Sequence, residues 1–233
     1  MVTNKKLSLV YDQSIEDAII DGDIEKVKKL LEKGVDVESV FDDFTILLRA
    51  VFEGYANIVE LILDKGADIN VADSEGYTPL IWAINRQHMK VVMLLVKRGA
   101  DVNKADNDKD TPLIYALNHD LEMVRFLVEN GANIDKKDQE GKTALVSAVY
   151  EKNPLIVKYL IEKGADINNR SIDGWTPLME AVDTESSEIV KLLIDMGADR
   201  QIKNNKGETA LNYALRTKQN NVSEILAENP DIL

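Results

Sequence analysis

The sequence predicts an all-α protein, a solenoid of about seven stacked helix-turn-helix units, each carrying a β-turn finger. Three observations carry this reading. Thr45, Thr78, Thr111, Thr143, Thr176 and Thr209 recur at intervals of 33, 33, 32, 33 and 33 residues. Gly34, Gly66, Gly99, Gly131, Gly164 and Gly197 keep the same beat. Ala18, Ala50, Ala83, Ala116, Ala148, Ala181 and Ala214 fall five residues after each threonine or its equivalent. A fixed period of roughly 20–50 residues marks a repeat architecture, in which each unit buries its apolar face against its neighbours.

Each element has a local cause. The first helix opens at the threonine, as in Thr78-Pro79-Leu80-Ile81-Trp82-Ala83. The hydroxyl caps an orphan N–H, and proline at the first helical position gives up an N–H that has no partner anyway. The second helix, for example Lys90-Val91-Val92-Met93-Leu94-Leu95-Val96-Lys97, places apolar residues at helical spacing. It stops at Gly99, where a left-handed conformation is available without a Cβ penalty. Asp73-Ser74-Glu75-Gly76 then reads as the turn of the finger.

The repeats run approximately over 8–40, 41–72, 73–105, 106–137, 138–170, 171–203 and 204–229, as a single domain over 8–229. Residues 1–7 and 230–233 are left as tails, and no second domain is expected within these residues. The fourth and seventh repeats read as one residue short between their helices, near Asn118–Leu121 and Lys218–Val222. The first repeat lacks Thr-Pro-Leu and carries Glu16, Asp17, Glu25, Lys28 and Lys29; the last lacks the Gly-Ala-Asp ending. Both are expected to be capping repeats that shield the ends of the core.

The unit Asp73-Ser74-Glu75-Gly76-Tyr77-Thr78-Pro79-Leu80, followed by Ala83, Val91-Val92, Leu94-Leu95 and Gly99-Ala100-Asp101-Val102-Asn103, closely resembles the ankyrin repeat. The resemblance covers about residues 8–229. It implies an elongated, slightly curved stack whose short inner helices and finger tips form a concave face. One departure is systematic. The histidine usual after Thr-Pro-Leu is replaced by Leu48, Ile81, Ile114, Val146, Met179 and Asn212. Apolar packing between repeats is expected to take over its hydrogen-bonding role.

Composition narrows the function. With no cysteine, the chain has neither disulfides, thiolate chemistry nor sulfur-ligated zinc. A formal net charge of −13 opposes nucleic acid, which needs clustered Lys and Arg facing the phosphates, and anionic membranes. No apolar run approaches the ~20 residues of a membrane span. The stretch after Lys5 and Lys6 is too short for a signal peptide, so the cytoplasm is expected if Met1 is the native start; a removed export signal is the alternative.

Catalytic chemistry finds little footing. His88 and His119 fall on different repeats, at the start of a second helix and the end of a first. They read as surface residues and not as a metal pair. Asp68, Asp101, Asp166 and Asp199, with Asn133, all follow Gly-Ala, and Asp73, Asp106 and Asp138 share one register position before the finger tip. A residue required by every turn is structural, whereas a catalytic pair appears once. No catalytic residue, cofactor or metal site is expected. An enzyme would need a pocket with converging carboxylates.

The resemblance places a variable recognition surface on the residue before each threonine and on those four, seven and eight after it. The candidates read there are Phe44, Arg49, Phe52, Tyr77, Trp82, Asn85, Arg86, Asp110, Tyr115, Asn118, His119, Lys142, Tyr150, Trp175, Glu180 and Asp183. Of thirteen aromatics (4 Phe, 2 Trp, 7 Tyr), eight occupy these positions: Phe44, Phe52, Tyr77, Trp82, Tyr115, Tyr150, Trp175 and Tyr213. Binding hot spots are enriched in such residues. The rings four residues past the threonine, Trp82, Tyr115 and Tyr213, either join this surface or fill gaps between repeats. Arg49 and Arg86 are expected to offset Glu53 and Asp110. At the finger tips, Glu75, Asp108, Glu140 and Asp173 recur, and repeats roughly 10 Å apart would arrange them as an acidic ladder. Such a ladder either keeps the surface solvated or steers a basic partner. The expected function is a monomeric scaffold that binds another protein, with a chaperone-like or immunity protein occluding a cognate enzyme as the alternative.

Overall fold

The computed structural model describes residues 14–227. It falls into two compact halves, one through Asn107 and one from Asp108. In the N-terminal half, residues 14–20 form α1, followed by α2 (Ile24–Glu32), β1 (Val40–Phe41), β2 (Phe44–Thr45), α3 (Ile46–Glu53), α4 (Ala56–Asp64), α5 (Pro79–Asn85) and α6 (Met89–Lys97). First helices pack on first helices (α3 on α5) and second helices on second helices (α2 on α4, α4 on α6).

The C-terminal half repeats the scheme with α7 (Pro112–Ala116), α8 (Leu121–Glu129), α9 (Ala144–Tyr150), α10 (Pro154–Glu162), α11 (Pro177–Asp183), α12 (Ser187–Asp195), α13 (Ala210–Arg216) and α14 (Asn220–Ala227). Here α7, α9, α11 and α13 pack in succession, as do α8, α10, α12 and α14. The periodic alanines explain the close approach of the first helices. Ala18, Ala50, Ala83, Ala116, Ala148, Ala181 and Ala214 are all fully buried.

The threonine caps form as their spacing requires. Thr45, Thr78, Thr111, Thr176 and Thr209 accept the N–H of the residue three positions on, at 3.2–3.3 Å. Thr143 is the exception: its hydroxyl is buried without a partner. Thr78→Val is therefore expected to cost about 1 kcal/mol, and Thr143→Val to be neutral or stabilising. Urea unfolding of the two variants makes the comparison, and equal losses would show that Thr143 caps in solution.

Leu48, Ile81, Val146 and Met179, which replace the family's histidine, are buried as expected, and Ile114 is half-buried. Asn212 departs from the apolar expectation, since it is exposed and completes a capping box with Thr209. The repeated Gly-Ala-Asp carboxylates are structural. Asp68, Asp101, Asn133, Asp166 and Asp199 each accept the backbone N–H two residues on, at 2.8–3.1 Å.

One sequence expectation is corrected, and two details are added. The fourth repeat is indeed short between its helices, but the seventh is not: Thr209 to Asn220 is the same interval as Thr176 to Ser187. The first finger contains paired strand, with Val40 opposite Thr45 and Phe41 opposite Phe44. Asp42 and Asp43 both take positive φ in the two-residue turn, the backbone that a tight hairpin demands. Finally, Glu16, one of the charges of the first repeat, is buried and ion-paired with Arg49 at 2.9 Å.

Candidate functional site

In the N-terminal half the candidate aromatics converge. Trp82 on α5 meets Phe44 and Phe52 of the preceding repeat at ring-centroid distances of 5.2 and 5.4 Å, and Tyr77 at 5.4 Å. Its indole Nε1 donates to Asp73 Oδ2 at 2.8 Å. Asp73 Oδ1 meanwhile accepts the N–H groups of Glu75 and Tyr77, so one carboxylate ties the finger to the helix. All four rings are half-buried, and Trp82, four past its threonine, packs against two rings of the preceding repeat.

Two cations cover this cluster. The Arg49 guanidinium lies 5.0 Å from the Phe44 centroid and that of Arg86 lies 4.2 Å from Phe52. Arg49 is held by Glu16, a carboxylate of the preceding repeat. Asn85, the last residue of α5, is half-buried.

In the C-terminal half the same positions form two adjoining hollows. The first, about 260 Å³, is bordered by Asp110, Asn118, Lys142 and Tyr150. The second, about 550 Å³, is bordered by Glu140, Lys142, Tyr150, Asp173, Trp175, Glu180 and Asp183. Tyr150 is 61 % exposed, while Trp175 packs edge-on against Tyr213 at 5.0 Å. Tyr115 is half-buried.

The charges of the second hollow differ in their engagement. Glu140 pairs with Lys142 at 2.8 Å, which draws the carboxylate's proton affinity down and the amine's up. Asp183 accepts the Tyr213 hydroxyl, and that bond, reinforced by burial, pushes the phenol up to about 12. Glu180 is only 8 % exposed and has no side-chain hydrogen bond or ion pair among the described residues. Burial is the largest influence on it and raises its pKa; Lys142 opposes the rise, while Asp183 and Glu140 add to it.

The histidines are a correction. Neither is a fully exposed surface residue. His88 is half-buried with Nε2 3.1 Å from the Phe52 carbonyl oxygen, and His119 has an enclosed Nε2 without a hydrogen-bond partner. His88 therefore belongs to the stacking of repeats two and three.

The four acidic tips, Glu75, Asp108, Glu140 and Asp173, are exposed, and what recurs most regularly at them is main-chain bonding. The Glu75 carbonyl accepts Asn107 N–H, that of Asp108 accepts Gln139 N–H, that of Glu140 accepts Ile172 N–H and that of Asp173 accepts Asn205 N–H, at 2.9–3.3 Å. Successive fingers are thus tied through backbone, leaving carboxylates outside. Glu16 and Asp73 in the N-terminal half and Tyr213 in the C-terminal half bond the candidate residues but are absent from the candidate set; the sequence marks Asp73 as a turn residue and Tyr213 as one of the eight register aromatics.

Such an array, with its structural positions fixed from repeat to repeat and others varying, defines a repeat protein. The family described as ankyrin repeats (3 copies) matches residues 15–106, 71–138, 103–171 and 168–233, and the chain belongs to it. Its structure superposes on the ankyrin repeat domain of Bcl-3, described as a unique member of the IkappaB protein family. The TM-score is 0.85 at 26 % identity, over 92 % of this chain and 98 % of that one. The human ASB11 ankyrin repeat domain gives 0.76 at 27 % identity, over 93 % and 98 %.

Curated relatives match over short stretches. A putative ankyrin repeat protein of Fowlpox virus (strain NVSL) is 43 % identical over 63 residues, 27 % of this chain and 8 % of the viral protein. Serine/threonine-protein kinase 12 of Arabidopsis thaliana is 40 % identical over 60 residues, 25 % of this chain and 13 % of the kinase. The 2-5A-dependent ribonuclease of Mus musculus is 40 % identical over 70 residues, 29 % of this chain and 10 % of the ribonuclease. Ankyrin-repeat domains are in general protein-interaction modules. Among the described residues, no helix is long and apolar enough to cross a membrane.

Proposed function

We propose that the chain is a non-catalytic protein-binding scaffold that holds its partner on the face made by first helices and finger tips. The observation that carries this reading is the gathering of ring and charge at the variable register positions. Tyr150 stands 61 % exposed beside a hollow, and Arg86 lies open over Phe52. Aromatic and arginine side chains flanked by charge are the usual composition of an interface core and its rim. The exposed acidic tips favour a partner with a basic patch, whose encounter they accelerate. A chaperone-like or immunity protein that occludes an enzyme uses the same surface, and is distinguished by loss of the captured partner's activity.

The test avoids Trp82, whose loss disturbs the fold. Arg86→Ala with Tyr150→Ala is compared with Leu155→Ala with Lys158→Ala, on the outer helix α10, in quantitative affinity capture from native lysate. The first pair is expected to lower capture of the specific partner at least about tenfold, in the range of hot-spot losses, and the second to leave it unchanged. Equal capture by both pairs places the binding surface elsewhere.

A further inference from the structure

The repeats can be compared position by position. In repeats two and three, Phe52 (seven past its threonine) meets Trp82 (four past the next), and Arg86 (eight past the next) lies over it at 4.2 Å. The same three positions in repeats five and six are Tyr150, Glu180 and Thr184. The ring is kept. The bulky indole is replaced by a carboxylate, and the covering arginine by a threonine. What results is an exposed ring, a hollow of about 550 Å³ and, at its edge, the carboxylate of a mostly buried glutamate that makes no hydrogen bond or ion pair among the described residues.

We propose that this hollow receives an arginine side chain of a bound protein, its guanidinium lying against Tyr150 and Trp175 and paired with Glu180. The assignment rests on the scaffold reading above and names the chemistry of the partner. Charge supports it. The Glu180 carboxylate borders the hollow with no hydrogen bond of its own, and because burial disfavours its ionised form, a cation that reaches it there is favoured. The neighbouring cation, Lys142, is bonded to Glu140 at 2.8 Å and shares its charge between Glu140 and Glu180, so a second cation is still favoured at the hollow. Asp183 and Asp173 add negative potential at the rim. Arginine fits better than lysine because a planar guanidinium stacks on aromatic faces while forming a two-pronged bond to a carboxylate. The chain itself uses this arrangement: Arg49 lies over Phe44 with Glu16, and Arg216 over Tyr213 with Glu208.

The probe is the peptide acetyl-Gly-Gly-Arg-Gly-Gly-amide, titrated into the ¹⁵N-labelled full chain, with the neutral citrulline peptide as control. Saturable NMR shifts are expected at the Trp175 indole and at the amides of Tyr150, Glu180 and Lys142. Glu180→Gln is expected to weaken binding at least about tenfold, as removal of one partner of a desolvated charge pair does. Glu188→Gln, which removes equal charge from the exposed side of α12, is expected to leave it unchanged. Because burial disfavours the ionised form of Glu180, the Gln variant is expected to unfold at no lower a temperature than the parent at neutral pH, which separates lost binding from lost folding. Equal shifts with the citrulline peptide, or equal weakening by both variants, overturn the arginine assignment. That failure leaves the capture experiment untouched, whereas equal capture by both pairs there overturns the scaffold face while peptide binding in the hollow stands.

Discussion

Trp82→Ala is expected to lower the unfolding free energy by about 2–3 kcal/mol, somewhat under the ~3–5 kcal/mol of a fully buried tryptophan because the ring is half-exposed. Three aromatic contacts disappear together: Phe44 at 5.2 Å, Phe52 at 5.4 Å and Tyr77 at 5.4 Å. The Nε1 donation to Asp73 at 2.8 Å is lost as well. Trp82→Phe separates the two contributions. It keeps most ring contact and loses the hydrogen bond, so its cost is about 1 kcal/mol. Because each repeat leans on its neighbours, the loss is expected to concentrate in repeats two and three. Hydrogen exchange of the α3 and α5 amides, read beside urea unfolding, locates it. A cost for Trp82→Ala below that of Trp82→Phe would show that the ring packs nothing and faces a partner instead.

This result bears on how much of the molecule the sequence discloses. The threonine, alanine and glycine periods are legible because each answers a local demand, a cap, a close helix approach or a left-handed turn. Those demands recur in every repeat and so leave a mark at a fixed interval. Thr78, Ala83 and Asp101 were read correctly for that reason. The pairings across repeats are different. Glu16 with Arg49, and Arg86 over Phe52, join residues 33 and 34 positions apart at different register positions, and no period records them. The eight aromatics were found as a set, but whether each packs or stands open depends on the residue that the adjacent repeat supplies. Trp82 fills the space beside Phe52, and Glu180 leaves the space beside Tyr150 open. The candidate site is therefore legible as a row of positions, and its division into a packed cluster and an open hollow becomes visible only when neighbouring repeats are superposed.

The same dependence on the neighbour governs a glycine that periodicity alone misreads. Gly54 ends α3 with φ +84°, and a Cβ built on it lies 2.6–2.8 Å from the His88 ring atoms of the following repeat. Positive φ is not what demands glycine at this turn, because Gln87, Lys152, Glu185 and Lys218 hold the equivalent position at φ 55–62° with full side chains. The ring is what demands it. Gly22, the equivalent residue of the first repeat, is likewise covered by a ring, that of Tyr55, at 2.9 Å. Gly54→Ala therefore combines about 1 kcal/mol for a left-handed alanine with displacement of a ring held by its 3.1 Å bond to the Phe52 carbonyl, worth about 1 kcal/mol more. A total near 2–3 kcal/mol is expected. Gly99→Ala, at φ +90° with nothing within 4 Å of the new Cβ, has the backbone cost alone. The decisive measurement is a double-mutant cycle. In a His88→Ala background, Gly54→Ala should cost no more than Gly99→Ala does in the parent, and the difference is the coupling between the two residues. If Gly54→Ala costs the same in both backgrounds, the turn is governed by its own backbone and the packing of His88 against it carries no energy.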